Sequence, residues 1–305
     1  MTVLDSDNKH AAHTRQKLQD FKDLAASLED WTFSYEQDGV KLYTKEVPGA
    51  PLPIVRGDTV LKTDASPLDV ITAAVLPGCR KMWDEQYDSS DIKTFYTRYE
   101  SLFWVKLKAP WPVSPRDMVA TTIRDVNDDV VYASMTSVED DSVEGDPSCV
   151  RATLHVSGWK LARVEGSIAI TYITQVDLGG YIPNWLIRQI QTQVPLCAGK
   201  VANYITDHGF PPNLRVCEGA TFAGEELTHE EDKKVNYTVE VTSATPELRL
   251  EIDLSPVMFA THINAKIHTV NGEAQVDVQQ EKRRVVVTAK QAVDKVTLTL
   301  TNTSS

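Results

Sequence analysis

Between Ile92 and Gly209 the apolar residues of this chain change from strand-like to helical spacing, and that change restricts the fold more than any bulk property. From Ile92 to Val176 the chain reads as a run of strands: Thr94–Tyr99, Leu102–Leu107, Met118–Arg124, Val130–Ser137, Cys149–Val156 and Ser167–Val176. Beyond Asp177-Leu-Gly-Gly180, Ile182, Trp185, Leu186, Ile190, Val194, Cys197, Val201 and Ile205 recur mostly on one helical face, with Gln189 the polar exception. Pro183 suits the first turn of that helix, and Gly209 is a plausible stop. Pro195 predicts a bend, because it lacks an N–H and crowds the preceding turn. Strands closed by one long helix place this stretch in the α+β class.

Upstream, Leu18, Phe21, Leu24, Ala25 and Leu28 predict a short helix. Alternating residues on either side of Asp38-Gly39 predict a hairpin over Trp31–Lys45, and another strand follows near Ile54–Leu61. Ser66, Pro67 and Asp69 form a near-capping arrangement for a helix running to Leu76, which Pro77-Gly78 should interrupt. Asp125–Asp129 reads as an exposed turn and Glu139–Pro147 as a larger acidic loop. The composition shifts after Phe210-Pro-Pro-Asn213, and five alternating runs then suggest a small β-sandwich. The expected organisation is an N-terminal extension over 1–19, a main domain over 20–213 and an accessory domain over 214–305.

Charge argues against several partners. The 305 residues carry a formal net charge of −12. Up to Leu214 there are 21 basic and 29 acidic residues, and after it 10 and 14. Neither part offers the concentrated positive surface that nucleic acid requires. Lys282-Arg283-Arg284 is the strongest basic cluster of the accessory region. It suits either a lipid surface or a solvated turn, and Glu225-Glu226 and Glu230-Glu231-Asp232 oppose a broad basic face. No apolar run reaches the roughly 18 residues of a spanning helix, and the polar start does not read as a secretory signal. Cys79, Cys149, Cys197 and Cys217 are too widely spaced for a Cys-x-x-Cys site or a disulfide scaffold. A reducing cytoplasmic location is therefore expected. The glycosylation patterns at Asn236 and Asn302 are read as chance.

Catalytic signatures are missing from the sequence. It holds no Gly-x-Ser-x-Gly elbow, no His-Glu-x-x-His zinc motif and no phosphate-binding Gly-rich loop. The seven histidines make no recognisable metal-ligand set. We therefore expect no catalysis, no metal and no cofactor.

Three motifs carry a resemblance. They are Trp111-Pro-Val-Ser-Pro-Arg-Asp-Met118, Thr171-Tyr-Ile-Thr-Gln-Val-Asp-Leu-Gly-Gly180 and Tyr181-Ile-Pro-Asn-Trp-Leu186, with a Trp83-Asp84 pair upstream. In this order, residues from about 20 to 209 resemble a START domain, the lipid-transfer module related to the steroidogenic acute regulatory protein. The resemblance implies a helix-grip fold, with a curved antiparallel sheet wrapped around the C-terminal helix and an apolar tunnel between them. It further implies a small hydrophobic lipid as ligand (sterol, phospholipid or fatty acid), transient membrane contact and transfer between membranes. A lipid-regulated protein-interaction adaptor is the alternative. Each buried CH₂ of such a ligand contributes about 0.8 kcal/mol, so tight binding needs no metal or covalent bond.

Candidate lipid-contacting residues follow. Ile182, Trp185, Leu186, Ile190 and Val194 either wall the tunnel or simply pack the core. Trp111 either shapes a mobile edge or packs. Arg98 and Glu100 share strand parity and form either an internal pair or an exposed one. Arg116 and Asp117 match the family's Arg-Asp motif and should make structural hydrogen bonds. The sterol-handling members carry a cavity arginine six residues beyond that motif arginine. This chain has Thr122 there, with Arg124 two positions further on, which weakens a sterol assignment. His155 is a further candidate donor on its strand. The Asp125–Asp129 turn matches a mobile loop at the family's tunnel mouth.

Overall fold

The computed structural model describes residues 8–50, 52–180, 182–230, 234–260 and 262–302. Tyr181 of the third motif, Glu231-Asp232, Thr303-Ser304 and the first seven residues of the expected extension lie outside these. The described chain forms two compact units. One gathers the described residues up to Ile71 with Trp83–Asn203. The other gathers Thr72–Met82 with the described residues from Tyr204 onward.

The first helix, α1, covers Ala11–Ala26 and buries Thr14, Leu18, Phe21 and Ala25. It starts well before the apolar spacing does. Its first buried position is polar, and the Thr14 hydroxyl meets that of Thr121 at 2.8 Å. Strands β1 (Thr32–Gln37) and β2 (Val40–Lys45) form the expected hairpin. Asp38 and Gly39 both take positive φ, +52° and +74°, as a tight primed turn requires. β3 spans Ile54–Lys62. Helix α2 (Pro67–Val75) opens on a reciprocal cap: Asp69 N–H donates to Ser66 Oγ at 3.2 Å, and Ser66 N–H to Asp69 Oδ2 at 2.8 Å. Pro77 then begins a separate helix, α3 (Pro77–Trp83).

The strands that follow are β4 (Tyr87–Thr97), β5 (Glu100–Leu107), β6 (Arg116–Val126), β7 (Val130–Ser137), the two-residue β8 (Val150–Arg151), β9 (Thr153–Val164) and β10 (Ser167–Asp177). They join the hairpin in one curved sheet ordered β1-β2-β3-β10-β9-β7-β6-β5-β4, antiparallel throughout except that β8 pairs in parallel with β6. The closing helix is not continuous. It breaks into α4 (Asn184–Gln193) and α5 (Cys197–His208), with Pro195 in the interruption. The proline therefore does more than bend the helix: it lacks an N–H and crowds the preceding turn, and the helix is interrupted over residues 194–196, although Val194 keeps helical φ and ψ and donates to the Ile190 carbonyl at 3.1 Å.

The second unit holds two four-stranded antiparallel sheets. One orders β11 (Asn213–Glu218), β14 (Arg249–Asp253), β17 (Arg284–Ala289) and β16 (Ala274–Gln279). The other orders β12 (Thr221–His229), β13 (Val235–Ala244), β18 (Val293–Asn302) and β15 (Ile263–Val270). β11, β12 and β15 add to the five strands expected. In β12 the apolar signal is thin. Leu227 is its buried anchor, and the Glu225 carboxylate accepts from the buried Tyr237 hydroxyl at 2.8 Å. Segment 72–82 also belongs to this unit, so its make-up is not contiguous in sequence.

Candidate functional site

The large sheet has two differently used faces. Helix α1 lies directly on one of them, over β7, β9 and β6. Its Phe21 and Ala25 pack with Ile54, Val156 and Ile173, and Gly158 admits the Phe21 ring where a Cβ would lie 2.7 Å from it. Side chains alternate along a strand, so the neighbours of these residues point to the opposite face. That face carries Phe103, Val105, Met118 and Ala120, with Ile92, Met135, Leu154, Val176 and Leu178 around them.

Helix α4 covers this second face. Leu186 and Ile190 group with Leu52, and Val113, Val176, Leu178, Ile182 and Val194 pack around them. The helix break also rests there: a Cβ on Gly57 would lie 2.0 Å from the Pro195 carbonyl oxygen, so only glycine allows that approach. Among the described residues, α4 makes no backbone approach to any strand as extensive as that of α1. Inward-facing Ile92, Met135, Leu154, Tyr172, Val176 and Leu178 stay only half-buried. The helix thus closes the face through side chains at one end and a backbone contact at the other.

Two buried polar groups fasten the segments around this face. Arg116 donates through Nε to the Leu178 carbonyl at 3.0 Å and through an Nη to the Gly179 carbonyl at 3.2 Å, with a further bond to the Ser114 carbonyl. Gly179 and Gly180 have φ of +60° and +65°, and the Gly179 N–H donates to Asp177 Oδ1 at 2.9 Å. Arg116 therefore holds the glycine turn that leads into α4. Burial pulls its guanidinium below the usual arginine value. Asp117 accepts from Arg151 at 2.9 and 3.0 Å, from Trp104 Nε1 at 2.9 Å and from the Asp146 N–H at 3.0 Å. Burial alone would raise its carboxyl, but these donors together hold it below the usual carboxylate range. Upstream, Trp83 meets Trp159 edge-on at 6.0 Å, and Trp159 stacks on Tyr172 at 4.3 Å. Asp84 Oδ1 accepts from the Gln86 N–H at 3.1 Å.

The remaining candidates divide between the faces. Thr122 and Arg124 point to the α4 face, since Thr121 bonds α1 and Asp125 pairs with Lys22. Leu186, Ile190, Ile182 and Val194 lie in the α4 cluster, whereas Trp185 points outward and is exposed. Trp111 is 91% exposed on the β5–β6 loop. Arg98 and Glu100, read as either an internal or an exposed pair, stand apart. Arg98 sits in the β4–β5 turn and lies over the Tyr99 ring, 4.5 Å from its centroid. Glu100 pairs in register with Ile123, on the α1 face, 2% exposed, and no hydrogen bond reaches either carboxylate oxygen. The strand ends at Thr97, and the hairpin turn resets the alternation that a shared parity assumes. His155 is exposed at an irregularity where β9 shifts register against β10, so it does not reach the α4 cluster.

Comparison with known proteins decides the family. The START-domain model matches residues 14–203. The chain belongs to the START family. A START-like fold also recurs in solved structures. Human StAR-related lipid transfer protein 5 is 18% identical, with a TM-score of 0.58 over 64% of this chain and 96% of that one. Human STARD10 is 19% identical, with a TM-score of 0.57 over 63% of this chain and 80% of that one. An uncharacterized protein of Pseudomonas aeruginosa is 25% identical over 173 residues, 56% of this chain and 84% of its own length. START domains bind hydrophobic lipids. No helix among the described residues is long and apolar enough to cross a membrane.

Proposed function

We propose that this START protein binds one hydrophobic lipid between the second sheet face and α4, and carries it between membranes without catalysis. The observation that carries this reading is the contrast between the two helices. α1 is packed tight, whereas α4 stands over inward apolar side chains that remain half-buried. A space between the sheet cluster of Phe103 and Met118 and the helix cluster of Ile190 would suit acyl chains or ring systems, which gain from every CH₂ removed from water. Access lies at the glycine turn held by Arg116. Trp111 and Trp185, both exposed, supply the apolar and aromatic groups that a brief membrane contact needs on an acidic protein. The cytoplasm is the expected compartment, and the sandwich from residue 214 onward is an accessory domain.

The test is gentle purification, native mass spectrometry and lipid identification, followed by transfer of that lipid between donor and acceptor vesicles. We expect one lipid per chain and measurable transfer. Trp111→Ala should slow transfer several-fold while leaving the retained lipid unchanged. A protein that arrives empty and loads none of a broad lipid panel has no such function.

A further inference from the structure

One line of residues crosses the α4 face from strand to strand, and most of its side chains carry hydroxyls. In register it reads Val55, Thr174, Ser157, Met135, Thr122 and Ser101, on β3, β10, β9, β7, β6 and β5. Each neighbour confirms the direction. Ile173 and Gly158 face α1, Ser134 donates to the Lys17 carbonyl of α1, and Thr121 bonds Thr14. Their successors or predecessors therefore point the other way. Ser157, Thr174 and Ser101 are 2%, 4% and 5% exposed.

Four small-side-chain hydroxyls on a mostly apolar face need a reason, because a buried hydroxyl without a partner is destabilising. Two have weak ones. Ser157 Oγ lies 3.3 Å from the Tyr172 hydroxyl, and Thr174 donates to the Val156 carbonyl at 3.4 Å. Among the described residues, no hydrogen bond engages the hydroxyls of Ser101 and Thr122, and neither is walled off completely by protein. Adjacent strands lie about 4.8 Å apart, so the line from β10 to β5 extends over roughly 19 Å. That is the length of a lipid body, not of a single headgroup.

We propose that this hydroxyl line selects a neutral lipid bearing more than one oxygen along its length, as hydroxyl, ketone or ester. The inference rests on the lipid-binding reading above and adds the ligand's chemical class. Hydroxyls donate and accept, so they match any of these oxygens without demanding charge. Arg124 lies one register step away, opposite Ala133, and supplies the rival: a phosphate-bearing lipid.

The full chain is loaded with a matched series: cholestane with no oxygen, cholesterol with one and 7-ketocholesterol with two. Phosphatidylcholine and phosphatidylglycerol are the charged comparators. Affinity should climb with oxygen number, by roughly three- to ten-fold for each hydrogen bond made. In the near-isosteric variant Ser101→Ala/Thr122→Val the climb should flatten, while cholestane binding and thermal stability stay at wild-type levels. Equal affinity across the three sterols, preference for either phospholipid, or an undiminished climb in the variant overturns the proposal and leaves lipid binding intact. Failure of every lipid to load removes the underlying reading instead. A variant that does not fold is replaced by Thr122→Val alone, scored on the same series.

Discussion

Glu100 sits where charge is costly. Burial pushes its carboxyl above the usual glutamate value, and the nearby Arg15 charge opposes that only in part. Its two oxygens accept no hydrogen bond, and Arg15 also keeps a buried nitrogen without one. An acid whose folded value is raised contributes its stability in full below the ordinary value of 4.5. The contribution disappears as pH rises through the elevated value. Glu100→Gln should therefore melt higher than wild type at pH 7, by roughly 1 kcal/mol, with the difference closing towards pH 4. Melting curves across that interval decide it, and a constant difference at every pH would reject the charge as the cause. Asp140, on the same side of the sheet, behaves oppositely. Its bonds from Ser142, His10 and Lys9 keep it ionised far below neutrality. At this scale the sequence was a partial guide. Alternation gives Thr122 and Arg124 the same strand parity, and both point to the α4 face. It leaves Glu100 undecided, because a two-residue turn shifts parity without any glycine or proline to announce it.

Elements were more legible than contacts. Asp38-Gly39, Ser66-Pro67 and Pro77 each mark a boundary in the structure, because each supplies a backbone geometry that other residues reach only at a cost. What escaped was the start of α1, whose first turn is fixed by hydroxyl and carboxylate contacts instead of apolar ones. β12 was also missed, with one buried aliphatic anchor among acids. The stretch between β10 and α4 is where the element scale matters for function. Two donations from Arg116, to the Leu178 and Gly179 carbonyls, restrain the Asp177–Gly180 turn, so Arg116→Ala should free α4 while the sheet stays formed. Hydrogen exchange should accelerate across Ile182–Ile190 by about one to two orders of magnitude, and retained lipid should dissociate faster. Unchanged exchange there would mean that side-chain packing against Leu52 holds the helix without help.

Across the whole molecule, the second unit recruits a piece of chain from far upstream. Cys79 is fully buried in it, and burial pushes its thiol up to about 12. The Tyr204 hydroxyl lies 3.2 Å from that sulfur and 2.8 Å from His229 Nε2, and a Cβ on Gly78 would lie 1.6 Å from the Leu227 carbonyl oxygen. His229, half-buried beside His208, is held down to about 4 by partial burial and by the neighbouring His208. The thiol should stay inert to alkylating reagents in the intact protein. A chain ending at Asn213 lacks β12 and should expose Cys79 to labelling within minutes, as peptide mapping would show. Continued protection in that shorter chain would make β12 irrelevant to its burial. No sequence pattern announces this arrangement. A boundary drawn from composition finds where strands resume, but not which earlier residues they pack upon.

The three crossings of the chain between units also set an order of events during synthesis. Residues 72–82 leave the ribosome long before the strands they pack upon, with 147 residues between Cys79 and Leu227. At about 5–20 residues per second, they wait on the order of ten seconds. During that interval the apolar end of α2 and the Cys79 segment lack their final partners. They form a stretch that a nascent-chain chaperone would hold, and a stalled or truncated product would present the same sticky segment to degradation.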